Sequence, residues 1–173
     1  MGSATKRRPL SRSQLLPLPA EYLRRVRLRH HIALASLRGT QVAPEQLALL
    51  LSTVQIAYLL RSPAAAALAA LQAAEAAAEA IAMGEGGGCD PGEIDDEAAP
   101  YRRAERTIEQ CYARLNDGVA DLLSDDERRE LERLMTAFDA RLATLPTQRY
   151  LDAQAELHHY VFAGRSPIPA AHA

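Results

Sequence analysis

Glu156 and His159 come nearest, in type and spacing, to a reactive centre in this chain. An E-x-x-H pair puts a carboxylate and an imidazole on one helical face, as carboxylate-bridged di-iron bundles require. Such a centre also needs a second E-x-x-H and two further glutamates. The sequence has no second pair, and Glu75 and Glu79 fall in an alanine-rich stretch where solvent exposure accounts for them equally well. His30 and His31 are adjacent, so they stand about 100° apart on a helix and cannot grip one ion from one face. Cys89 and Cys111 are too few for a disulfide framework and lack zinc-ligand spacing. No nucleophile elbow, Walker loop or dinucleotide fingerprint is present, and the run GEGGG lacks the preceding strand that would make it a phosphate cradle. The expectation is a protein that is not an enzyme, with no catalytic residue, no metal and no cofactor.

Charge is the stronger signal. Nine of the twenty Lys and Arg residues lie in the first 38 positions against one acid, Glu21, although the whole chain carries only −2. A basic N-terminal arm on an acidic body reads as an interaction tail or a docking face. Arg24, Arg25, Arg27, Arg29, His31 and Arg38 are the candidate partner or nucleic-acid surface, because guanidinium groups neutralise phosphates and release counterions. Against nucleic acid stand the sequence pI near 6.2 and the lack of aromatics interleaved among the arginines. A protein partner or a second copy of the chain is expected first, with nucleic acid as the alternative.

The elements that must carry these residues read as helices. Alanine dominates, tryptophan is absent and β-branched residues are scarce, which favours an all-α protein. Residues 1–18 read as a disordered basic arm. Leu23, Val26, His30, Ala33, Leu34 and Leu37 space a first helix over about 20–38, which leaves a broad basic surface facing out. A second helix starts at Pro44 and is apolar nearly all round between Leu47 and Leu60, which marks either the central buried helix or a subunit interface. A third, nearly polyalanine, spans about 63–83. Residues 84–100 hold five glycines, two prolines and six acids, and read as a flexible acidic linker. Beyond it, Tyr101, Ala104, Ile108, Cys111, Tyr112 and Leu115 space a fourth helix ending at 116–118. Ser124 with Glu127 is a capping box that opens a fifth helix on Leu131, Leu134, Phe138, Leu142 and Leu145. A sixth spans about 148–163 with Tyr150, Leu151, Leu157, Val161 and Phe162, and residues 165–173 read as a disordered tail. The predicted architecture is a bundle of about six helices in two three-helix halves, 19–83 and 101–164.

The run HIALASLRG from His31, followed by VQIAYLL ending at Leu60, resembles short uncharacterised helical proteins of proteobacterial mobile elements. Those proteins show a histidine, an Ala-Leu pair, a Leu-Arg and a glycine before a second apolar helix. The resemblance implies a bacterial accessory protein and carries no activity with it. The excess of Arg over Lys, nineteen to one, also suggests a GC-rich bacterial coding sequence. No run approaches the ~18 apolar residues of a membrane span, and the basic start lacks the apolar stretch of a secretory signal. An Arg-rich, acid-poor start also fits an organellar transit peptide. Cytoplasmic residence without membrane contact is the expectation.

Overall fold

The computed structural model describes residues 15–38, 42–61, 97–119 and 121–170, and these form five α-helices with no strand among them. The helices are α1 (Ala20–Ser36), α2 (Pro44–Leu59), α3 (Ala99–Asn116), α4 (Asp125–Leu142) and α5 (Thr147–Phe162). The predicted helix over 63–83 and most of the predicted linker lie outside the described residues.

Local chemistry sets the ends. Pro44 occupies the first turn of α2, and Pro100 that of α3, where a missing N–H costs nothing. The capping box of α4 is closed in both directions: Ser124 Oγ accepts from the Glu127 N–H at 3.3 Å, and a Glu127 carboxylate oxygen accepts from the Ser124 N–H at 2.7 Å. Gly118 and Gly164 follow α3 and α5 with φ of 71° and 62°, the left-handed conformation in which glycine ends a helix without a Cβ clash. In both cases the residue after the glycine closes the end: Val119 N–H donates to the Arg114 carbonyl and Arg165 N–H to that of Tyr160.

α2 is the central element, packed on α1, α3 and α5, while α4 closes against α1 and α3. Leu47, Leu50 and Val54 are fully buried on it, and Leu49, Leu51, Ile56 and Leu59 lie half-buried against the same core. The apolar circumference read from the sequence is thus enclosed by neighbouring helices of its own chain. One part of the core joins Leu47, Leu50, Ile108, Cys111, Leu131 and Met135, and the other joins Leu60, Phe138, Leu142, Tyr150 and Ala153. Each contains residues from both sides of residues 84–100, so the described helices share their core rather than packing as separate halves.

Both supposedly disordered ends need correction within the described residues. At the N-terminal side, Leu18 is buried, and the Leu16 carbonyl accepts from both the N–H and the hydroxyl of Thr147 at 2.8 and 2.9 Å. That carbonyl satisfies a donor that the first turn of α5 would otherwise leave open. Residues 1–14 of the predicted arm lie outside the described residues. At the C-terminal side, Ile168 is 5% exposed and belongs to the core. Ser166 donates to Glu105 at 2.7 Å and the Pro169 carbonyl accepts from Arg102 at 3.2 Å, so residues 165–170 pack along α3. A single large aliphatic between two prolines gives no periodic signal, which is why the sequence pattern misses it.

Candidate functional site

α1 distributes its charged residues over two sides. Arg27 and His31, one turn apart on α1, and Arg38, just beyond its end, come to the side that meets α4. His31 Nε2 lies 2.7 Å from Asp139 Oδ2, and Arg38 Nη2 donates to Glu132 Oε1 at 2.9 Å. Arg27 donates through Nη2 to the Asp139 main-chain carbonyl and holds its Nε 3.9 Å from the carboxylate. Asp139 is thus gripped from two successive turns of α1. Three of the six candidate residues therefore join helices of the fold.

Arg24, Arg25 and Arg29 are exposed, and no ion pair or hydrogen bond engages them among the described residues. Between them on the outer side of the helix stand Leu28 and Ile32, 58% and 53% exposed, one turn apart. Neither belongs to the apolar stripe predicted for this helix. Their signal in the sequence is an i, i+4 aliphatic pair set among arginines, off the phase of Val26, His30, Ala33 and Leu37. The result is a basic face with an apolar centre, bordered by one acid, Glu21.

Behind this face a cleft of about 500 Å³ opens between α1, α2 and α5. Its aromatic wall is Tyr22 against Tyr150, rings edge to face at 6.2 Å, with the Gln154 amide donating to the Tyr150 hydroxyl at 3.4 Å. Burial, together with the neighbouring Tyr22, pushes the Tyr150 phenol up to about 12, so it stays protonated. His30 reaches the same cleft from α1. It is 7% exposed, tilts against Phe138 at 5.7 Å, and its Nδ1 is buried without a hydrogen-bond partner among the described residues. Burial lowers its pKa to about 4; the opposing pull of Asp139 is smaller, and His31 and Arg29 push the same way as burial. Arg29 and His158 also line the cleft, as do Val161 and Phe162, and Phe162 is 89% exposed. The sequence pattern put Tyr150, Leu151, Leu157, Val161 and Phe162 on the last helix; Tyr150 and Leu157 are buried there together with Ala153, whereas Leu151, Val161 and Phe162 face out.

Glu156 and His159, the E-x-x-H pair, are both exposed on α5, while Glu75, Glu79 and Cys89 lie outside the described residues. Cys111 is fully buried, its thiol donates to the Leu122 carbonyl at 3.1 Å, and burial raises its pKa to about 11, the state of an inert core thiol. Among the described residues no helix is long and apolar enough to cross a membrane. No family model, curated protein or solved structure matches this sequence.

Proposed function

We propose that this chain is a helical interaction module that docks an acidic, amphipathic protein segment on the outer face of α1. One observation carries the reading: Arg24, Arg25 and Arg29 surround the exposed Leu28 and Ile32 after the remaining cations of the helix have been taken up by α4. Exposed aliphatics beside three unengaged arginines call for a partner that presents apolar residues among carboxylates. A symmetric dimer through this face would set arginines against arginines, because a two-fold interface repeats the same patch on both sides. Self-association, expected from the circumference of α2, therefore needs another surface. The accessory role implied by the resemblance over residues 31–60 fits an interaction module. The residues that carry it, among them Ala33, Leu34, Leu37, Val54, Ala57 and Leu60, are core positions, so they speak for a shared packing arrangement rather than for a shared site.

Photo-crosslinking in the native cell tests the proposal, with the reactive residue placed at Leu28 and, as a control, at the exposed Arg133 of α4. A discrete protein adduct from position 28, absent from position 133 and lost when Arg24, Arg25 and Arg29 are together changed to Glu, is the expected result. An adduct of twice the chain mass would assign the face to a second copy. No adduct, or the same adducts from both positions, refutes the proposal.

The three unengaged arginines also favour a second reading, contact with a nucleic-acid backbone. Three phosphate contacts predict a log-log salt slope of about −2.7 on duplex DNA. Binding that is absent at low salt, or insensitive to Arg24→Ala, Arg25→Ala and Arg29→Ala, removes that reading.

A further inference from the structure

The cleft between α1, α2 and α5 has a chemistry of its own and shares only Arg29 with the outer face of α1. Its volume, about 500 Å³, falls in the range of small-molecule sites, ~300–1,000 Å³. Its walls are aliphatic and aromatic, from Val26, Ile56 and Leu157 to Tyr22, Tyr150 and Phe162. Among the described residues no Asp or Glu lines it, whereas Arg29, His30 and His158 do. An apolar cleft with a guanidinium at its edge selects for an apolar body that ends in a negative charge, because a cation would meet Arg29 and find no carboxylate among the described residues.

A second observation points the same way. His30 is a polar side chain more than nine-tenths buried, it lines the cleft, and its Nδ1 has no partner among the described residues. Buried polar atoms left unpaired cost free energy and are rare in folded proteins, and they concentrate where a ligand or a bound water completes them. The half-buried Ser52 hydroxyl on α2, also in the wall, offers a further polar contact. At the ~30 Å³ share of one water molecule, the space amounts to roughly seventeen such shares, which suits a ligand of about ten to fifteen non-hydrogen atoms.

We infer that this cleft binds a small amphipathic carboxylate, with the carboxylate at Arg29 and the alkyl or aryl body between Tyr22, Tyr150 and Phe162. The body replaces water on the aromatic wall, and the charge stays at the edge where Arg29 is exposed. Desolvation of the acid is therefore small, and orientation comes from the charge of Arg29 and the aromatic wall.

Isothermal titration calorimetry with decanoate and with 4-phenylbutyrate tests the inference, since the two probes share the carboxylate and differ in whether the body is alkyl or aryl. Saturable one-to-one binding of at least one probe is expected, and the tighter of the two identifies the body. Arg29→Gln should weaken it about tenfold, the loss of one charge-assisted contact, and Phe162→Ser should weaken it severalfold without touching the core. Ser52→Phe, which fills the space from α2, should abolish it; where that variant fails to fold by circular dichroism, the two surface variants carry the test. 4-Phenylbutylamine, the same body with the opposite charge, should not bind measurably. Absence of binding for both carboxylates at millimolar concentration, equal binding of the amine, or indifference to Arg29→Gln and Phe162→Ser overturns the inference.

Discussion

Acidification from pH 7 to pH 5 should destabilise this protein through His30. The imidazole is buried beside Phe138, and burial lowers its pKa to about 4 from an unfolded value of 6.5. Because the folded pKa is the lower one, the unfolded chain binds the proton first. Stability is therefore intact above about 6.5 and declines as the pH falls towards 4, the reverse of a histidine held by an acidic partner. With those two values the linkage relation gives a loss of about 2 kcal/mol at pH 5. The groups that act on His30 are Asp139 from α4, which opposes the shift, and His31 and Arg29 from α1, which reinforce it. His158 and the protonated Tyr150 line the same cleft from α5. Urea denaturation of the wild type and of His30→Leu at both pH values isolates the effect, since carboxylate titrations and the His31–Asp139 pair are common to both proteins. At a slope of ~1–3 kcal/mol per molar urea, the wild-type midpoint should fall by about 1 M more than that of the variant. At pH 7 the variant should match or exceed the wild type, because it no longer buries an unpaired nitrogen. Equal losses in the two proteins, or an NMR titration that places the His30 pKa near 6.5, would refute the reasoning.

Three further outcomes are accessible with the same preparations. Glu127 serves its own capping box and holds Arg114 through two hydrogen bonds at 3.1 and 3.2 Å, and this pairing keeps its carboxyl below the usual range; Glu127→Ala should cost about 1–2 kcal/mol in denaturant unfolding. A loss under a few tenths of a kcal/mol would mean that the cap and the pair contribute nothing. Ile168→Ala should lower stability by about 2–4 kcal/mol as a core truncation, although it lies beyond the last helix; an unchanged melting temperature would place residues 165–170 outside the folded core. Cys111 should resist iodoacetamide in native buffer and react only in denaturant, as read by peptide mass mapping, and rapid native alkylation at that residue would contradict its burial and its raised pKa.

Helix positions were readable wherever a periodic apolar stripe met a local stop. Ser124 with Glu127, Pro44, Gly118 and Gly164 each mark a boundary through chemistry confined to a few neighbouring residues, and each boundary stands where that chemistry requires. What could not be read depends on contacts between distant residues. The anchoring of Leu16 by Thr147 spans 131 positions, and the seating of Ile168 needs α3 to be already in place. The division of arginines on α1 is of the same kind. Helical spacing shows that Arg27, His31 and Arg38 share a side, but only the packing of α4 shows that the side is occupied. The cleft was legible least of all, since Tyr22, Tyr150, Gln154 and Phe162 have no common motif and meet only because α1 and α5 both lean on α2.

The charge asymmetry of the chain therefore overstates the basic surface of its folded part and understates its organisation. Arg27 and His31 on α1 and Arg38 just beyond it meet Asp139 and Glu132 and tie this segment to α4, and their replacement would report on stability as much as on binding. Arg24, Arg25 and Arg29 are separable from that role, because no described residue relies on them for a hydrogen bond or ion pair. Exposed Leu28 and Ile32 contribute little to the core, and a fold that needed only solubility would gain from polar residues in their place. Both are found together, on the side of α1 that α4 leaves open and beside a cleft that Arg29, a member of that face, also lines. Variants of Arg24 and Arg25 therefore probe the outer face alone, those of Phe162 probe the cleft alone, and Arg29 is the position where occupancy of one would be felt by the other.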